Sequence, residues 1–203
     1  MSPESPTPEY LELPLNEFLE LVASGTPAPG GGSVAAVAVA LAAGLAGMAA
    51  RLSADQLADA PRLADRADAS RRRVAPLART DAEAYGRVLG AYRLPREPDS
   101  EARTERIKDA LSGAADVPLA VAEAGSEVAG IAARLVEEGN SNLEGDAMTA
   151  LLLAGAGVGA AAALTEINLS SANIEDDRLG RANELVDETT ATVRRVTQEH
   201  GSG

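Results

Sequence analysis

The stretch Ala28-Pro29-Gly30-Gly31-Gly32-Ser33, set directly before an apolar run, is the most informative in the chain. Glycines there permit backbone conformations closed to other residues and let a ligand approach the main chain. A helix starting behind them presents unpaired N–H groups and a partial positive charge, which suits a carboxylate, a phosphate or a developing negative charge. No Lys follows the glycines and no strand precedes them, so this is neither a nucleotide loop nor a dinucleotide fingerprint. The alternative is a purely structural helix entry. A second candidate is Asp81, in Asp81-Ala82-Glu83-Ala84-Tyr85. At helical spacing Asp81 and Tyr85 share a face and Glu83 points elsewhere. Flanked by Leu77, Ala78, Ala84 and Val88, Asp81 reads as a semi-buried carboxylate whose pKa can be tuned for proton transfer or for stabilising a cation. The plain alternative is a surface carboxylate paired with Arg79 or Arg87.

Asn140, Asn142 and Asp146 fall in one polar stretch that ends at a helix start, where Asp146 could simply be an N-cap. Asn168 stands in the otherwise apolar Ile167-Asn168-Leu169, and a buried amide needs partners, which a neighbouring helix supplies as readily as a ligand does. Lys108 is the only lysine and reads as an exposed helix residue; His200 is the only histidine and falls in a tail expected to fray. With no Cys in the chain, a His-based triad and a metal site are not expected. Acid–base chemistry must rest on carboxylates.

These residues need helices to position them. The chain is 45% hydrophobic but only 2% aromatic, and roughly a fifth of it is alanine, so summed propensity favours helix and opposes an all-β fold. A first helix is expected from Pro14 to Ala23, with Leu15, Phe18, Leu19 and Val22 at helical spacing. Thr26 to Ser33 reads as irregular, and a long apolar helix then runs to about Leu52. A third helix is expected from near Pro61 to Tyr92, with Arg71 to Arg73 on a solvated face. Asp99 or Ser100 is placed to cap a helix from Glu101 to Ala115, which Pro118 kinks or restarts before a further helix to Glu138. Gly139 to Asp146 reads as a polar loop, a second Ala-rich helix follows, and the last helix spans about Glu175 to Glu199. The resulting class is an all-α bundle of about six to seven helices with two central Ala-rich helices.

Residues 1–13, Pro-rich and acidic at the start, read as a disordered leader, and 14–199 as a single domain. Val34 to Ala50 and Ala147 to Leu164 are apolar but rich in Ala and Gly, the pattern of helices buried among neighbours rather than in lipid. The net charge of −13, from 31 acidic and 18 basic residues, argues against nucleic-acid and anionic-membrane surfaces, and a cytoplasmic location is expected.

Pro14-Leu15-Asn16-Glu17-Phe18, Pro29-Gly30-Gly31-Gly32-Ser33-Val34-Ala35-Ala36, Asp81-Ala82-Glu83-Ala84-Tyr85, Leu94-Pro95, Val117-Pro118-Leu119, Gly139-Asn140, Asp146 and Ile167-Asn168-Leu169 occur in this order. In order and spacing the set resembles the formiminotetrahydrofolate cyclodeaminases and the related methenyltetrahydrofolate cyclohydrolases, over about residues 14 to 195. The resemblance implies a helical bundle completed by homodimerisation, a folate site near the dimer interface, and no cofactor beyond tetrahydrofolate as carrier. It places the catalytic role on Asp81. As substrate-binding residues it suggests Gly30, Gly31, Gly32 and Ser33 for a pterin oxygen or a tail carboxylate, and Asn140, Asp146 and Asn168 for the pterin edge. Leu143-Glu144-Gly145 stands where relatives usually carry Ser close to the Asp. The expected activity is that of a cyclohydrolase, with a cyclodeaminase and a non-catalytic folate-binding dimer as alternatives.

Overall fold

The computed structural model describes residues 7–96 and 100–200, so the possible cap at Asp99 and the first six leader residues lie outside the described part. Seven α-helices are present among the described residues: α1 (Leu15–Ala23), α2 (Gly31–Arg51), α3 (Ala60–Val74), α4 (Leu77–Tyr92), α5 (Ser100–Glu138), α6 (Glu144–Ser171) and α7 (Asp177–His200). Single 3-10 turns at Tyr10–Glu12 and Ser141–Leu143 complete the order.

The expected all-α class is met, with α2 and α6 as the two central Ala-rich helices. They run antiparallel: Gly31 lies against Leu164, and Gly157 against Val39. Small residues set how close the backbones come. A Cβ on Gly157 would fall 2.4 Å from Val39 Cγ2, and one on Gly125 of α5 would fall 2.7 Å from Val158 Cγ2. Glycine is therefore required where α2, α5 and α6 meet, because a methyl group would force the helices apart. Both α2 and α6 are long and apolar enough to cross a membrane, yet each packs here as a core helix, with part of its surface left uncovered.

Five boundaries differ from the sequence reading. The glycine triplet is not irregular throughout, because Gly31, Gly32 and Ser33 form the first turn of α2 and only Gly30 stands outside. The expected helix from Pro61 to Tyr92 is two helices, since Pro76 heads α4 and its missing N–H ends the ladder of α3. Conversely, α5 passes uninterrupted through Pro118. Glu144 to Asp146 form the first turn of α6 rather than a loop, where acidic side chains complement the helix dipole. His200 is the last residue of α7 rather than part of a frayed end, with Nδ1 3.4 Å from Glu144 Oε1. The Arg71 to Arg73 run is solvated as expected, and Arg73 pairs with Glu127 at 2.8 Å.

Within the expected leader, Tyr10–Glu12 form a 3-10 turn. Tyr10 is buried and meets Phe18 edge to face, with ring centroids 5.8 Å apart. Glu9 Oε2 lies 3.0 Å from Arg79 Nη1 on α4.

Candidate active site

The N-terminus of α2 has free N–H groups, as every helix start does, and its N-cap Gly30 has no side chain to accept them. Asp81 on α4 fills that role from another element. Ser33 Oγ lies 3.2 Å from Asp81 Oδ2 and 2.7 Å from the Ala78 carbonyl, so its single hydrogen is held between two acceptors, while the Ser33 backbone N–H also donates to Asp81. Gly32 is where the carboxylate comes closest: a Cβ built there would lie 2.0 Å from Oδ1. The glycine run does receive an anion, and the anion is the protein's own carboxylate.

Burial pushes the Asp81 carboxyl above the ordinary carboxylate range, and the donors from Ser33 act in the opposite sense without cancelling it. Arg79 does not neutralise it, being paired with Glu9 at 3.0 Å and Glu83 at 2.8 Å. The surface-pair reading of Asp81 with Arg79 is thereby overturned: both Arg79 partners are other carboxylates. The half-buried carboxylate opens instead onto a cavity of about 320 Å³. Gly30, Gly31 and Gly32 line it together with apolar residues of α4, α5 and α6, among them Ala114 and Leu164, and Tyr85, Ile167 and Asn168 also reach it. Such a site, mostly apolar with a few converging polar groups, suits a planar organic substrate, and its one carboxylate suits a positive charge on it.

Asn168 resolves into a structural tie that also faces the cavity. Pro118 has no N–H to give to the carbonyl four residues earlier, Ala114, and Asn168 Nδ2 donates to that carbonyl at 3.0 Å. The amide from α6 thus repairs the ladder that Pro118 breaks, and among the described residues no donor reaches its Oδ1. Replacing Asn168 by Leu should orphan the Ala114 carbonyl and cost about 1–3 kcal/mol of stability. In a Pro118→Ala background the restored N–H should make the same change cheaper, which a double-mutant cycle of denaturant unfolding measures.

Of the other expected binding residues, Ser33 lies against Asp81, whereas Asn140 and Asp146 do not gather here. Ser33 is fully buried and spent on Ala78 and Asp81, so it orients the carboxylate instead of meeting substrate. Asn140 donates through Nδ2 to the Leu52 carbonyl at 3.1 Å and accepts through Oδ1 from the Asn142 N–H at 3.0 Å. Its own N–H donates to Ser53 Oγ at 2.9 Å, so it ties the C-terminal ends of α2 and α5 together. Asp146 sits in the first turn of α6, about 33 Å along that helix from Asn168 at 1.5 Å per residue. Within one chain, Asn140 and Asp146 therefore lie at the end of the bundle away from Asp81. Tyr85 and Ile167 are cavity residues to which sequence reading gave no role. The shared face of Asp81 and Tyr85 was the available signal for one, and the other had none.

A sequence profile described as Formiminotransferase-cyclodeaminase matches residues 14–187. The chain belongs to this family. Among family members, a methenyltetrahydrofolate cyclohydrolase of Methylorubrum extorquens is 34% identical over 193 residues, covering 90% of this chain and 93% of that protein. The rat formimidoyltransferase-cyclodeaminase is 33% identical over 158 residues, 71% of this chain but only 28% of that longer protein. The crystal structure of formiminotetrahydrofolate cyclodeaminase from Thermotoga maritima superposes with a TM-score of 0.82 at 28% identity, covering 94% of this chain and 96% of its own. Family membership thus extends over nearly the whole described bundle, cavity and Asp81 included.

Proposed function

We propose that this family member is a methenyltetrahydrofolate cyclohydrolase, converting 5,10-methenyltetrahydrofolate and water to 10-formyltetrahydrofolate. The observation that carries the reading is Asp81: a half-buried carboxylate with no cationic partner, held at the mouth of an apolar cavity. The substrate supplies the missing cation, since its one-carbon bridge is an amidinium carbon between two folate nitrogens. Asp81 stabilises that charge and removes a proton from the attacking water. The new C–O bond forms, the bond from the bridge carbon to N5 breaks, and the N5 electron pair takes a proton. The formyl group stays on N10 and one proton is released overall. The near full-length match to a cyclohydrolase supports this direction.

The cyclodeaminase reading is favoured by the Thermotoga maritima structure, which shares the fold over 94% of this chain. It uses the same cavity: N10 attacks the formimino carbon, ammonia leaves with a proton, and the same cation forms. Enzyme-dependent loss of methenyl absorbance supports the first reading, whereas ammonia release from 5-formiminotetrahydrofolate with no effect on methenyl hydrolysis supports the second.

The enzyme is also proposed to act as a homodimer. Val34, Leu41 and Met48, seven residues apart on α2, are exposed, as are Leu152 and Ile167 on the neighbouring α6. The stripe between the last two carries Ala156, Gly159, Ala160 and Ala163, with Glu166 as its one charge, beside Ile167. A largely apolar face shared by two adjacent helices, with a single carboxylate near its edge, fits a second copy of the same surface. Sedimentation should give a dimer at micromolar concentration, and Leu41→Asp with Leu152→Asp should give monomers; a monomeric parent protein removes the claim.

A further inference from the structure

The segment ahead of α1 buries one residue, Tyr10, as α1 itself buries only Phe18 while Leu15 and Leu19 remain exposed. Tyr10 is nearly closed to solvent, meets Phe18 edge to face, and joins the buried cluster containing Ala78 and Ala82, the α4 residues on either side of Asp81. One residue earlier, Glu9 grips Arg79, whose guanidinium also holds Glu83 one turn further along α4. The chain is thus fastened by an ion pair and an aromatic side chain to the turn of α4 that carries Asp81.

We propose that residues 9–13 form a strap that positions Asp81, with the Tyr10 ring as the plug that keeps water from the rear of the carboxylate. Tyr10 is a positioning residue and does not touch substrate. Tyr10 shares one buried cluster with Ala78 and Ala82 of the α4 turn that carries Asp81, and its phenol is raised first by burial and then by the Asp81 charge. A neutral phenol exerts no net charge on Asp81 in return, so its effect on the carboxylate is exclusion of solvent. The groups facing Asp81 are few. Ser33 faces it from α2, Tyr85 lies on its own helix, and Asn168 is the polar residue that α6 adds to the cavity; the Glu9, Arg79 and Glu83 charges are spent on one another.

The inference rests on Asp81 being the working carboxylate, but its test does not. In full-length protein labelled with ¹³C-carboxyl aspartate, the Asp81 resonance, assigned by its loss in Asp81→Asn, is titrated against pH. Tyr10→Phe should keep the elevated midpoint, and Tyr10→Ala should move it down toward the ordinary carboxylate range. Glu9→Ala, which frees the strap without opening the core, should move it in the same direction and decides the matter if Tyr10→Ala does not fold. The pH profile of turnover should shift with the midpoint, and kcat should fall more than KM rises. A midpoint unchanged in Glu9→Ala and in folded Tyr10→Ala overturns the strap. A midpoint that moves in protein inactive on both folate substrates retains the strap and discards the proposed function.

Discussion

Asp81→Asn should lower turnover by about 10²–10⁴-fold, the usual weight of a positioned acid–base group, while the protein remains folded. Two properties of the site make this substitution cleaner than truncation. Asn ranks with Asp as a helix cap, so the α2 N-terminus keeps an acceptor. Asp81→Ala removes that acceptor and should cost about 1 kcal/mol more in denaturant unfolding, with activity equally lost. The ionisation of Asp81 also opposes folding. Its folded pKa is raised above the ordinary carboxylate value, so the unfolded chain gives up its proton first as pH rises. Stability then falls with pH from that ordinary value up to the elevated one, and above the elevated value the loss is complete. At neutral pH the native carboxylate is therefore a net cost that Asn does not carry. Asp81→Asn should unfold no earlier than the parent at pH 7, and the difference should vanish in acid. Turnover in the parent should rise with pH through the elevated midpoint, because water activation needs the ionised form.

Gly32→Ala should abolish most activity while Asp81 itself stays in the sequence. The added Cβ would lie 2.0 Å from Asp81 Oδ1, 2.4 Å from Cγ and 2.7 Å from Oδ2, so either the carboxylate or the first turn of α2 must move. A displacement near 1 Å at reacting atoms costs about 100-fold, and that is the expected loss in kcat/KM. Gly86→Ala is the control on the same helix as Asp81: nothing lies within 4 Å of its would-be Cβ, and it should raise helix stability while leaving kcat in place. Gly32→Ala with parental activity would mean that the capping geometry is not the working one.

What could be read in the sequence was what short-range physics controls. The alanine content and helical spacing were enough for an all-α bundle with two central Ala-rich helices, and the i, i+4 relation was enough to put Asp81 and Tyr85 on one face. Long-range acceptors were not legible. The glycine triplet looked like an empty anion cradle because the group that fills it lies 48 residues away. Pro118 looked like a break because the amide that relieves it comes from Asn168, 54 residues beyond Ala114. Pro76, with no such rescue, did end a helix that charge and spacing had carried through. Asn140 and Asp146 seemed to converge with the site, yet a helix of about 1.5 Å rise per residue carries them to the other end of the bundle. Tyr10 was lost in a Pro-rich, acidic leader, where one aromatic residue changes composition little but anchors the segment by burial.

The most direct test of the central claim follows the decay of 5,10-methenyltetrahydrofolate absorbance, in a buffer where spontaneous hydrolysis is slow, with parent protein and Asp81→Asn side by side. Acceleration by the parent, lost by at least 100-fold in a folded Asp81→Asn, is the expected result. Equal acceleration by both would contradict the account and leave Asp81 as a helix cap alone.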